Sequence, residues 1–131
     1  EGLGIFDITT IHPGLNVPRC IGNITAKVLI EDLKSCILVG FENHGGRTTL
    51  GKNAKPLAKV IKGFGNNGKD GFEGAVYKNA IGTYFHGPVL PENPILADYL
   101  IALALKTNNL IKLDDSLENK AHDIIMNKYG H

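Results

Sequence analysis

The sequence predicts an α/β fold that is strand-rich and ends in two helices, and three observations predict it. Short β-branched and aromatic runs recur between residues 21 and 85, separated by Gly- and Asn-rich breaks. Helix signals are confined to the stretch from Asn93 onward. Strands and helices do not alternate as a complete doubly wound domain requires, so the plain reading is half of a larger α/β unit whose other part lies before Glu1.

Taken in order, residues 1–19 (EGLGIFDITTIHPGLNVPR) mix short apolar pieces with Gly and Pro and read as a leading segment and loop. IGNITAKVLI (21–30) and SCILVGFEN (35–43) read as strands on their β-branched content. HGGRTTLG (44–51) is a turn with a short extended piece, and AKVIKGFG (58–65) is a third strand. NNGKDG (66–71) holds both Asn-Gly and Asp-Gly, the strongest local hairpin signals. EGAVYKN (73–79) and IGTYF (81–85) supply two further short strands. Asn93 then Pro94 predict a helix start, an N-cap side chain before a proline at the first helical position, with the helix running over 94–106. Its apolar residues surround most of the cylinder, which demands cover on more than one side. A last helix over 115–129 opens with Asp115 and Glu118 at capping-box spacing and sets Leu117, Ala121, Ile124, Ile125 and Tyr129 on a single face.

The 131 residues suffice for one domain, and 43% apolar with 21% charged content is that of a globular protein. Fourteen Lys+Arg against 13 Asp+Glu give a net charge of +1, with no basic block, so a nucleic-acid or membrane-surface role has no electrostatic support. Cys20 and Cys36 are too few for a disulfide framework and too isolated for a zinc site, so no metal is expected and a reduced, cytoplasmic setting is the default. No apolar run approaches the roughly 18 residues of a membrane span, and no signal peptide is recognisable. Gly-rich GFGNNGKDG (63–71) lacks the following helix of a phosphate loop and reads as a hairpin, so no cofactor is expected either. The chain begins at Glu1 rather than Met, as a processed protein or a part of something longer would.

His86 carries the chemical interest. It sits where a strand-like run meets Gly87 and Pro88, a position suited to a catalytic group aimed out of a sheet and equally to an ordinary strand end. His12, His122 and His131 lie in a loop, a helix and the C-terminus and read as bystanders.

GFENHGGRT (40–48), followed some forty residues later by GTYFHGP (82–88) and a long apolar helix, resembles the C-terminal half of the class I glutamine amidotransferases of the cobyric acid synthase type. Within that group the chain looks most like the amidotransferase subunits of lipid II isoglutaminyl synthases, on EGLGIFDITT, RCIGNI, FGNNGKDGFEG and YKNAIGTYFHGPVLPENP, to about residue 106. The resemblance implies a flavodoxin-like domain, of which this is the C-terminal portion. It implies hydrolysis of the side-chain amide of L-glutamine through a cysteinyl thioester, with the ammonia passed to a Mur-ligase-like partner that binds ATP and amidates D-glutamate of lipid II. His86 is then the catalytic histidine.

The family's nucleophile sits in a G-x-C-x-G elbow upstream of the segment matching Glu1. Neither Cys20 nor Cys36 has that setting, so the chain alone is expected to be inactive. Many class I amidotransferases have a glutamate two residues after the histidine, where this chain has Pro88. The orienting acid must then be absent, be Glu42, which could equally hold its own loop, or come from the partner. Arg19 matches an arginine near the family's glutamine pocket and is the candidate for the substrate's α-carboxylate, a solvated loop arginine being the plain alternative; Arg47 is expected to brace its turn. Two rivals remain, the amidotransferase part of a cobyric or cobyrinic acid amidating enzyme and a non-catalytic domain kept for binding. An exposed sheet edge or apolar face would also invite self-association.

Overall fold

The computed structural model describes residues 2–86 and 89–130. Its strands are β1 (Ile8–Ile11), β2 (Cys20–Val28), β3 (Ile37–His44), β4 (Arg47–Leu50) and β5 (Ala58–Lys62), then β6 (Phe72–Glu73), β7 (Ala75–Tyr77), β8 (Ala80–Gly82) and β9 (Phe85–His86). The helices α1 (Pro94–Leu105) and α2 (Ser116–Tyr129) follow. The main sheet has the order β6-β5-β2-β3-β9, with β1-β4 and β7-β8 as separate ribbons, and every pairing among the described residues is antiparallel. The α/β class read from the sequence is what the chain adopts.

Alternation along β2 and β3 gives the main sheet two unlike faces. One carries Ile24, Ala26, Val28 and Leu38, which join Leu57, Phe85 and Leu96 of α1 in the core. Ile24, Leu38 and Leu57 are fully buried, each contributing about 1.5–3 kcal/mol. The other face is covered at one end by α2, whose Tyr129 carbonyl accepts a hydrogen bond from the Thr25 hydroxyl at 3.1 Å. Beyond α2 this face is open, and Ile21 and Phe41 stand exposed on it.

Several local expectations are corrected. The leading segment contains a strand, β1, whose residues are all exposed and which is held by ladder bonds to β4 and a Thr10–Thr48 hydroxyl pair at 2.7 Å. The hairpin read at 66–71 does form, joining antiparallel β5 and β6, but through a connection longer than a two-residue turn, where the Asn67 side chain accepts the amides of Lys69 and Asp70. IGTYF is not one strand: 80–82 pair with β7, 85–86 pair with β3, and Thr83–Tyr84 belong to neither.

Both helix caps also differ. Asn93 starts α1 but makes no side-chain cap bond. Its amide instead pairs with the backbone of Val39, accepting from N–H and donating to C=O at 2.8 Å each, and donates to Val89 C=O at 2.7 Å. Asp115 and Glu118 form no capping box, and Asp114 accepts the Ser116 amide instead. On α2, Leu117 and Ile124 face solvent, while Ala121, His122, Ile125 and Met126 are half-buried, so the contacting face is turned from the one the pattern predicts. Among the described residues, no helix is long and apolar enough to cross a membrane.

Candidate functional site

His86 ends β9, the edge strand beside β3, in the register Phe41↔His86 and Glu42↔Phe85. Residues opposite each other in an antiparallel pair share a face. His86 therefore stands with Phe41 on the open face and is exposed, while Phe85 turns into the core at 7% exposure. Among the described residues its ring enters no ion pair. The imidazole is thus carried on a strand end and presented to solvent. Gly87 and Pro88, which complete the motif, lie outside the described residues.

The short segment ahead of it is pinned from three sides. Oε1 of Glu73 accepts the Thr83 hydroxyl and, at 2.8 Å, the Tyr84 amide, and the Thr83 hydroxyl accepts the Phe85 amide at 3.0 Å. The Tyr84 ring stacks on His44 at 3.7 Å between centroids and 11° between planes, and its hydroxyl pairs with Thr48 at 2.7 Å. His44 is held in turn, its Nδ1 donating to the Gly46 carbonyl at 2.9 Å. Glu73 is fully buried, and burial raises its carboxyl pKa against the lowering effect of the Thr83 and Tyr84 bonds. Sequence reasoning missed Glu73; the available signal was a carboxylate between apolar residues immediately after the hairpin.

Glu42 cannot orient His86. It projects on the opposite face of β3, fully buried, and its two oxygens accept the amides of Phe64 at 2.6 Å and Gly65 at 3.0 Å. His44 Nε2 is its other neighbour, at 3.5 Å. The carboxylate is spent on holding the turn after β5.

Arg19 is exposed and lies along β3, its Nε donating to Asn43 Oδ1 and its Nη2 to the Asn43 carbonyl, both at 3.0 Å. Asn43 is two residues, roughly 7 Å, beyond Phe41 on the same face, so the fold brings Arg19 and His86 to one side of the sheet. Arg47 does brace its turn, donating to the carbonyls of Gly45, Gly46 and Pro18.

Neither cysteine meets the imidazole. Cys20 pairs with His44 on the core side, 2% exposed, and burial pushes its thiol up against the opposing pull of Arg47. Cys36 is half-buried against the core, five residues or roughly 17 Å along the strand from Phe41. No group of three or more His, Cys, Asp or Glu able to hold a metal occurs among the described residues.

Comparison with known proteins identifies the family. Residues 1–94 match the CobB/CobQ-like glutamine amidotransferase domain. The chain is 36% identical, over 98% of its length, to the lipid II isoglutaminyl synthase (glutamine-hydrolyzing) subunit GatD of Staphylococcus aureus strain N315, covering 51% of that protein. To the GatD subunit of Streptococcus pneumoniae strain R6 it is 46% identical over 81% of its length, covering 39% of that protein. A probable cobyric acid synthase of Methanocaldococcus jannaschii is 39% identical over 84% of the chain and 21% of its own length. The chain thus spans about half or less of the curated relatives it matches. It belongs to the CobB/CobQ-like glutamine amidotransferase domain family.

Proposed function

We propose that this chain is the histidine-bearing, C-terminal part of a glutamine amidotransferase that takes ammonia from L-glutamine. The acceptor is a Mur-ligase-like, ATP-binding synthetase that amidates the D-glutamate of lipid II in peptidoglycan synthesis, in the cytoplasm. The reading is carried by the likeness to two GatD subunits, over 98% and 81% of the chain.

In this reading a cysteine from the preceding part of the domain attacks the glutamine amide carbon, forming a thioester and expelling ammonia, and water then releases glutamate. His86 holds the thiol deprotonated and returns the proton to the leaving ammonia, as its exposed position on β9 allows. The open face around Ile21, Phe41 and His86 is where that preceding part docks. Arg19, whose Nη1 is not used by Asn43, takes the glutamine α-carboxylate. With Glu42 committed elsewhere, the acid orienting His86 comes from the synthetase, which makes hydrolysis depend on the complex. The cobyric acid synthases among the relatives support a second reading, with a corrin carboxylate as the acceptor.

The test is glutamine hydrolysis by the complete protein, with and without its synthetase, offering lipid II or cobyrinate as acceptor. His86→Ala should lower kcat by about 10²–10⁴-fold, and Arg19→Ala should act mainly on KM. Wild-type hydrolysis by His86→Ala would refute the assignment, and amidation of cobyrinate alone would move it to the second reading.

A further inference from the structure

The backbone between β8 and β9 follows neither ladder, and what holds it is a carboxylate. Glu73, ten residues before Thr83 in sequence, sits on β6 at the far edge of the main sheet, yet its Oε1 takes both the Thr83 hydroxyl and the Tyr84 amide. The Thr83 hydroxyl then passes the constraint one residue on, by accepting from Phe85 N–H at 3.0 Å. The next residue is His86. Two consecutive backbone amides and one side chain leading into the imidazole are therefore fixed by a single buried acid. The second oxygen, Oε2, is buried and has no hydrogen-bond partner among the described residues. An interior acid half-satisfied in this way is costly to keep, and no bond of the main-sheet ladders requires it.

We infer that Glu73, through Thr83, is a positioning residue for His86, setting the direction in which β9 delivers the imidazole to the reacting amide. The inference rests on the proposed role of His86. Glu73 touches neither substrate nor ring; it acts on the backbone that aims the ring. Misplacement of a proton-transfer group by about 1 Å can cost on the order of 10²-fold in rate, so a carboxylate that fixes this segment governs turnover more than substrate affinity. Glu73→Gln keeps an oxygen for the Thr83 hydroxyl and the Tyr84 amide and puts its NH₂ where Oε2 has no partner, so it preserves the device. Thr83→Val removes the hydroxyl at an exposed position while keeping its shape, and Thr83→Ser restores it.

The experiment uses the complete protein with its synthetase, following glutamine hydrolysis across pH alongside thermal stability. Thr83→Val and Glu73→Ala should lower kcat tenfold or more with KM changed less than twofold and with the pH profile altered. Thr83→Ser and Glu73→Gln should stay within about twofold of wild type. Should Glu73→Ala fail to fold, the Thr83 pair decides the matter at a site exposed to solvent. Wild-type kcat and pH profile in Thr83→Val, with His86→Ala inactive, would overturn the inference while leaving the role of His86 intact. Full activity in His86→Ala would overturn that role and the inference with it, and a loss in Thr83→Val matched by Thr83→Ser would also refute it, since the hydroxyl would then not be the cause.

Discussion

Asn93 distinguishes two accounts of the junction between the sheet and α1. As an N-cap its side chain would accept an amide within the first turn, and Asp would serve equally well, with Ala costing about 1 kcal/mol. In the structure the same side chain lies flat against the free edge of β3, accepting Val39 N–H and donating to the Val39 and Val89 carbonyls, at 0% exposure. Asn93→Ala breaks three bonds in a dry site, at about 1 kcal/mol each, for a total of about 3 kcal/mol. For a complete domain of roughly 150–250 residues, a loss of about 3 kcal/mol lowers Tm by about 6–12 °C. Asn93→Asp keeps the bond from Val39 N–H but turns a carboxylate oxygen on two carbonyl oxygens, and burying it unpaired costs at least as much as the alanine variant. Urea and thermal unfolding of Asn93→Ala and Asn93→Asp in the complete protein check this. If Asn93→Asp lay within about 0.5 kcal/mol of wild type, the edge-bridging role would be wrong and the N-cap account restored.

Three further outcomes follow from buried groups. Glu73 has its folded pKa raised by burial, so the folded state holds its proton more tightly than the unfolded chain; that stability is fully present below the ordinary carboxylate value and is lost as pH rises through the raised one. Glu73→Gln should therefore flatten the fall of Tm from acid to neutral pH, and an unchanged slope would refute the assignment. Gly65 lies at φ +62°, and a Cβ there would run into the Phe72 carbonyl oxygen, so Gly65→Ala should destabilise by about 3 kcal/mol in urea titrations. Glu42→Gln offers one oxygen to two amides and sets an NH₂ against the other, costing about 2–3 kcal/mol by the same assay. Since Glu42 faces away from His86, the pH profile of glutamine hydrolysis should not move with that substitution.

The sequence was readable where one segment's own pattern decides the outcome. Runs of β-branched residues become β2, β3 and β5 because the sheet buries the face they alternate onto. It misled where a distant partner decides. β1 buries none of its residues, and ITTI, though β-branched throughout, lacks the alternation of a half-buried strand, so pairing with β4 is what makes it one. IGTYF has strand-forming residues at four of its five positions, yet Glu73 takes the Tyr84 amide and splits it. Asn93-Pro94 located the helix start correctly, but the side chain that should cap it found Val39 across the fold. In each case a non-local hydrogen bond outweighed a local preference worth about 1 kcal/mol.

The same contrast holds at the site. A histidine before Gly-Pro at the end of an apolar run marks His86 as a strand-end group, and its exposure follows from sharing the open face with Phe41. What surrounds it depends on parity, which sequence spacing does not reveal until strand pairing is known. Phe41 lies opposite His86, so Glu42, one residue on, is committed to the interior and the turn at 64–65. Asn43, two residues on from Phe41, returns to the open face and brings Arg19 with it. A single step of register on β3 therefore sends the carboxylate to the face away from the imidazole and leaves the guanidinium on the same face as it. Any acid that orients His86 must reach it from the open side of the sheet, where α2 leaves Ile21 and Phe41 uncovered.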